Sequence, residues 1–184
     1  MKSVLISIKP KWVEKIANKE KTIEVRKTRP KIKTPFKCYI YCTIGNGIKG
    51  DYLIPSNLQC GKVIGEFVCD KVFDLPFTPA FQDYDFTEIY RDNGYKDFSL
   101  KSTCLTQNEI YDYGKGKPLY GWHISDLKIY DKPKELGEFK RWNRTEENVP
   151  CAYTKWLYSD CKDCKACNLT RPPQSWCYVE SLGE

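Results

Sequence analysis

Hydrophobic and polar positions alternate in short runs along most of this chain. Residues 4–9 (VLISIK) alternate weakly and predict a first strand. Pro10 suits the first turn of a helix, where its missing N–H would have no partner anyway. Val13, Ile16 and Ala17 give that helix an apolar stripe, with Trp12 beside it, and an end near Asn18. A second strand follows, in which Ile23 and Val25 alternate with Thr22, Glu24 and Arg26. One face should be buried; the other carries a hydroxyl, a carboxylate and a guanidinium in a row, directly after Lys21. Residues 30–35 (PKIKTP) read as a basic loop and residues 36–43 (FKCYIYCT) as a strand rich in β-formers. Residues 45–57 form a glycine-containing loop without the helix signal that a phosphate-binding glycine loop needs. Residues 61–75 carry the longest strand signal, with Val63 and Gly65 on one side and Ile64 and Glu66 on the other.

The stretch 76–118 is aromatic and acidic and shows few regular periods. Within it, Thr106 and Glu109 form a capping box that predicts a short helix through Ile110 and Tyr113. Residues 118–133 predict one more long strand, which holds the only histidine, His123. A polar helical stretch, a cysteine-rich segment and a last strand at 175–182 complete the chain. A helix after the first strand, with little helix–strand alternation later, predicts an α+β, mostly β fold. The expected architecture is a small mixed β-barrel rather than a doubly wound sheet. The 184 residues suit one domain with a small appendage. The expected division is a barrel over 1–136, interrupted by an insertion at 76–118, and a cysteine-rich extension over 137–184 whose last strand packs on the barrel.

Charge sharpens this picture. The net charge is +6, yet residues 9–37 alone hold eleven basic and three acidic side chains. Such a block attracts phosphates, and Lys27, Arg29, Lys31 and Lys33 form its densest part. No apolar run approaches the roughly 20 residues that cross a bilayer. The first apolar run is too short for a signal peptide, so a cytoplasmic protein without a membrane partner is expected.

That placement makes the ten cysteines thiols or metal ligands rather than disulfides. Cys38, Cys42, Cys60, Cys69 and Cys104 are scattered along mixed stretches and read as small buried hydrophobes. Cys161, Cys164 and Cys167 follow one another at CxxC spacing, with Cys151 upstream and Cys177 downstream. Two such thiolates reach one tetrahedral ion and a flanking pair completes it, which predicts a structural zinc. The expected ligands are Cys151, Cys164, Cys167 and Cys177, with Cys161 as substitute. An iron–sulfur run would continue x3-Cys-Pro, whereas Asn168, Leu169, Thr170 and Arg171 follow here.

Four motifs occur in a recognisable order: Ser7-Ile-Lys-Pro10, Lys21-Thr-Ile-Glu-Val-Arg26, Gly65-Glu66 and Trp122-His123-Ile124. Together, across about residues 1–135, they resemble an ASCH domain of the PUA-like superfamily. The closing stretch 171–180 (RPPQSWCYVE) resembles the tail of ASCH proteins of bacteria and phages. The resemblance implies a compact PUA-like β-barrel with a helix-flanked cleft, of the kind that handles RNA or modified bases in related domains. It also implies a hydrolase comparison, because some small ASCH proteins are amidohydrolases acting on acetylated cytidine. Their motif has a Lys, a nucleophilic Thr three positions on, and then an Arg. Lys21 and Arg26 match, but Glu24 stands in the threonine's place, which speaks against that chemistry.

The expected function is therefore binding of RNA, single-stranded nucleic acid or a nucleoside-like molecule. The expected cleft is lined by Ser7, Lys9, Lys21, Thr22, Glu24 and Arg26. Glu24 could accept hydrogen bonds from an exocyclic amine, or pair with Arg26 only to hold strand register. Trp122 shares its side of the strand with Ile124 and should be core. His123 shares its side with Gly121 and Ser125, which leaves room for a ligand. The enzyme alternative is an amidohydrolase or nuclease using Lys21 with Glu24 or Glu66 as general acid or base. A protein-interaction module is the third class.

Overall fold

The computed structural model describes residues 1–44, 59–75, 100–142 and 168–183. Among these residues, eight strands and two α-helices run in the order β1 (Lys2–Ile8), α1 (Pro10–Ala17), β2 (Ile23–Arg26), β3 (Phe36–Cys42), β4 (Val63–Cys69), β5 (Val72–Leu75), α2 (Gln107–Gly114), β6 (Leu119–His123), β7 (Ser125–Lys134) and β8 (Trp176–Glu180). The fold is α+β and mostly β. Its strands form an open five-stranded sheet, β7-β4-β3-β1-β8, and a three-stranded sheet, β2-β6-β5. Among the described residues the strands do not close, so the expected barrel is replaced by two open sheets. No helix among the described residues is long and apolar enough to cross a membrane.

The chain divides into two compact units. The first comprises Met1–Val13, Lys37–Glu66 and Lys128–Glu184. There β1 pairs in parallel with β3, Val4 opposite Cys38, and antiparallel with β8, Leu5 opposite Cys177. Residues 3–8 of this strand are buried on both faces, which is why residues 4–8 are almost continuously apolar. Its core gathers Leu5, Tyr39, Tyr41, Val63, Phe139, Leu169 and Val179, with Tyr39 meeting Phe139 edge to face at 4.9 Å. Gly65 is required here, because a Cβ would stand 2.5 Å from the Lys128 carbonyl oxygen.

The second unit comprises Glu14–Phe36 and Phe67–Leu127. Its sheet pairs β2 with β6, Glu24 opposite Trp122, and β6 with β5, Phe73 opposite Gly121. Ile23, Val25, Phe73, Leu75, Ile110 and Leu119 form its core. The capping box forms as the sequence implies: Thr106 Oγ1 accepts from the Glu109 N–H, and the Glu109 carboxylate accepts from the Thr106 N–H.

Two predicted strands turn out to be pairs. The 61–75 run breaks at Asp70 and Lys71, where the Lys71 carbonyl turns to accept from the His123 N–H. The 118–133 run breaks at Ile124, whose N–H donates to the Thr22 carbonyl, and Asp126 follows at φ 46°. In the first run the apolar positions keep their phase past the break, so pattern alone does not reveal it; in the second they shift phase, from Trp122 and Ile124 before the break to Leu127 and Ile129 after it.

Candidate nucleic-acid interface

The strand that carries the Lys-Thr-Ile-Glu-Val-Arg motif is buried on both faces. Ile23 and Val25 enter the apolar core, while Glu24 and Arg26 on the other side are only 5% and 8% exposed. Helix α1 is followed by a left-handed Lys19, and the Lys15 carbonyl accepts from both the Glu20 and Lys21 N–H groups. That turn delivers Lys21, 2% exposed, to the start of the strand. Its ammonium donates to the Thr103 carbonyl and stands 3.4 Å from Glu24 Oε2. Arg26 Nη2 lies 3.0 Å from Glu24 Oε1. One carboxylate is thus clasped between two cations away from water. Thr22 is half-buried and contributes through its backbone, donating to the Ser102 carbonyl and accepting from the Ile124 N–H.

The basic block converges directly after this clasp. Residues 27–34 line a groove of about 920 Å³ together with Val72 and Tyr120. Lys27, Arg29, Lys31 and Lys33 are all exposed along it. Arg29 stands over the Tyr120 ring at 5.6 Å and reaches Asp74 at 3.7 Å. Lys27 stands over the Tyr113 ring at 4.8 Å. The Tyr113 hydroxyl is pushed above its ordinary pKa by burial and by the Glu24 charge, with Arg26 opposing. Clasp, tyrosine and basic loop are therefore electrostatically continuous within one unit. Alternating cations and aromatic faces are the chemistry that holds single-stranded nucleic acid.

The other expected site residues are placed elsewhere. Ser7 and Lys9 belong to the first unit. Ser7 is buried and donates to the Pro173 carbonyl; Lys9 is exposed, and its carbonyl accepts from the first N–H groups of α1. Glu66, also in the first unit, accepts from the Tyr130 hydroxyl at 2.6 Å and from Lys37 at 3.2 Å. Burial raises its pKa, but these two donors outweigh burial and leave it below the carboxylate range. Trp122 is core, meeting Phe36 edge to face at 5.9 Å. The room expected beside His123 is filled, because a Cβ on Gly121 would lie 3.0 Å from Ile23 and 3.5 Å from Phe73. The half-exposed His123 holds Asp70 through Nδ1 at 2.7 Å. Burial raises the Asp70 carboxyl, yet that histidine outweighs it and pulls the group below its ordinary value.

Among the proposed zinc ligands, Cys151, Cys161, Cys164 and Cys167 lie outside the described residues. Cys177 is half-buried on β8, with its thiol pushed up by burial and partly restored by Arg141. Among the described residues no cluster of three metal-ligating side chains occurs. Of the five scattered cysteines, Cys38, Cys42 and Cys69 are buried as expected, whereas Cys60 and Cys104 are half-exposed.

Tyr113 and Tyr120 were not anticipated. Tyr113 reads from sequence only as part of the short helix that also holds Ile110, and the packing of α2 leaves it 38% exposed beside Lys27. Tyr120 shares a side with Trp122, a signal for core. Aromatic residues interleaved with a basic run would have pointed to both, but here they are brought together from distant positions.

No protein-family model matches the sequence, and no curated protein matches it. Solved structures do. The chain is similar to the crystal structure of ASCH from Zymomonas mobilis, with a TM-score of 0.52 and 16% identity over 97% of this chain and 87% of that one. It is equally similar to a serine-to-alanine mutant of the same protein, with a TM-score of 0.52 and 16% identity over 97% of this chain and 88% of that one. The motif order and the architecture agree: this chain has the fold of an ASCH domain.

Proposed function

We propose that this protein binds single-stranded RNA, or an RNA-like segment, along the groove formed by residues 27–34. The observation that carries the reading is the convergence of Lys27, Arg29, Lys31 and Lys33 on one groove, next to the cation-capped rings of Tyr113 and Tyr120. The lysines supply phosphate attraction, and each aromatic face stacks a base once its cation swings to a phosphate. The clasp of Lys21, Glu24 and Arg26 acts beneath, as the rigid base from which the loop projects. RNA handling in PUA-like domains, which the motif resemblance implies, supports the same ligand class.

The enzyme reading has less support. Lys21 and Glu24 occupy each other, and Glu66 is held as a carboxylate by Tyr130 and Lys37, far from the near-neutral poise of a general acid. Zinc at Cys151, Cys164, Cys167 and Cys177 stands as a proposal of its own. Metal analysis of protein purified without added metal should return stoichiometric zinc, and none would remove it.

Fluorescence anisotropy of labelled single-stranded RNA and DNA, titrated at several salt concentrations, tests the binding reading. Lys31→Ala should weaken binding alike for all sequences and flatten the salt slope by about one unit. Tyr120→Ala should cost roughly 1–3 kcal/mol without changing that slope. Wild-type protein that binds neither polymer at low salt would overturn the proposal.

A further inference from the structure

Two cysteines meet in the first unit. Cys42, at the end of β3, and Cys60 bring their sulfurs to 3.5 Å. The approach is built by the backbone. The Gly61 N–H donates to the Cys42 carbonyl at 2.8 Å, and the Cys42 N–H donates to the Lys62 carbonyl at 3.0 Å. Gly61 takes a φ of 84°, a left-handed conformation that favours glycine and turns Cys60 back over the strand end. A disulfide needs its sulfurs at about 2.05 Å, so only about 1.5 Å of approach is missing, within reach of side-chain rotation.

We infer that Cys42 and Cys60 are a redox-active thiol pair, oxidised to a disulfide by hydrogen peroxide or an organic hydroperoxide. The two thiols are not equivalent. Cys42 is fully buried, and burial together with the neighbouring Cys60 sulfur pushes its thiol up to about 12. Cys60 is half-exposed and is the one an oxidant reaches. Its thiolate attacks the peroxide oxygen, the O–O bond breaks, and water or an alcohol leaves with Cys60 as sulfenic acid. The Cys42 sulfur then attacks the Cys60 sulfur. The S–S bond forms, the S–O bond breaks, and the departing hydroxide takes the Cys42 proton as water. Two thiols and one hydroperoxide thus give one disulfide, one water and one water or alcohol. A dithiol reductant reverses the oxidation by thiol–disulfide exchange. The disulfide would close residues 43–59 into a covalent loop.

The test is peptide mapping of the full chain. Reduced protein is exposed to a small excess of hydrogen peroxide, remaining thiols are alkylated, and trypsin digestion without reductant is followed by tandem mass spectrometry. The expected product links residues 38–49 to residues 50–62, with fragments that place the bond on Cys42 rather than Cys38, and it disappears on reduction. In Cys42→Ser, a sulfenic-acid trap should label Cys60 where wild type gives the cross-link. Should Cys42→Ser fail to fold, the wild-type map still decides. Cys60 recovered alkylated while other cysteines are oxidised, or joined to any cysteine but Cys42, would overturn the assignment.

Discussion

Replacing Glu24 by Gln tests the buried clasp. The substitution keeps the shape of the side chain and removes its charge, which leaves Lys21 and Arg26 as two buried cations without their shared anion. At 3.0 and 3.4 Å, and an effective dielectric constant of about 20, each attraction is worth roughly 5 kcal/mol gross. Desolvation of three charged groups offsets most of that, so the intact clasp contributes little net stability. Breaking it is a different matter, because the desolvation cost stays while the attraction goes. The expected loss is about 3–5 kcal/mol. For a chain of 184 residues that lowers the thermal midpoint by roughly 8–13 °C. Urea unfolding followed by tryptophan fluorescence measures it, with thermal unfolding as a second probe. An apolar replacement of all three residues should recover much of the loss, since it removes the desolvation cost together with the charges. A loss below about 1 kcal/mol for Glu24→Gln, or one that about 1 M salt abolishes, is the signature of a solvated pair. Either result would refute the clasp as a buried base and return Glu24 to the role of a ligand-facing carboxylate.

Two further perturbations follow from single distances. Gly65→Ala places a Cβ 2.5 Å from the Lys128 carbonyl oxygen and 3.2 Å from the Ile129 Cα, both backbone, so a strand must move. The expected cost is about 1–3 kcal/mol in chemical denaturation, and a loss under about 0.5 kcal/mol would show that the strands are not so close. Glu66 predicts a pH dependence. Its folded pKa lies below the unfolded value near 4.5, so its stabilisation is fully present above that pH and is lost as pH falls through the folded pKa. Glu66→Gln should therefore be less stable than wild type by about 1–2 kcal/mol at neutral pH, with the gap closing as pH falls through the folded pKa. A gap that does not change with pH would show that the carboxylate is not held by Tyr130 and Lys37.

Much of the local structure was legible because its causes are local. Pro10 begins α1, Thr106 and Glu109 cap α2, and alternation marks β2 and β3 within a residue or two. The role of Gly65 had a signal as well, since an isolated glycine in a strand often marks a close backbone approach. The break at Ile124 left a change of phase, from Trp122 and Ile124 to Leu127 and Ile129, whereas the break at Asp70 left none, because it depends on the hydrogen bond from the distant His123 N–H to the Lys71 carbonyl.

The candidate site divides in the same way. The amino-acid order by itself determined the density of positive charge at residues 27–33 and its attachment to a strand of alternating character. It also determined the order of motifs that matches an ASCH fold. Tertiary structure alone decided that Glu24 and Arg26 turn inward to a shared clasp, that Tyr113 and Tyr120 border the basic loop, and that Cys42 meets Cys60. The physical reason is range. Backbone preference and periodicity act over a few residues, so a single sequence reveals them. Burial of a charge, stacking of a cation on a ring and the meeting of two sulfurs depend on which distant segments the packed sheets bring together.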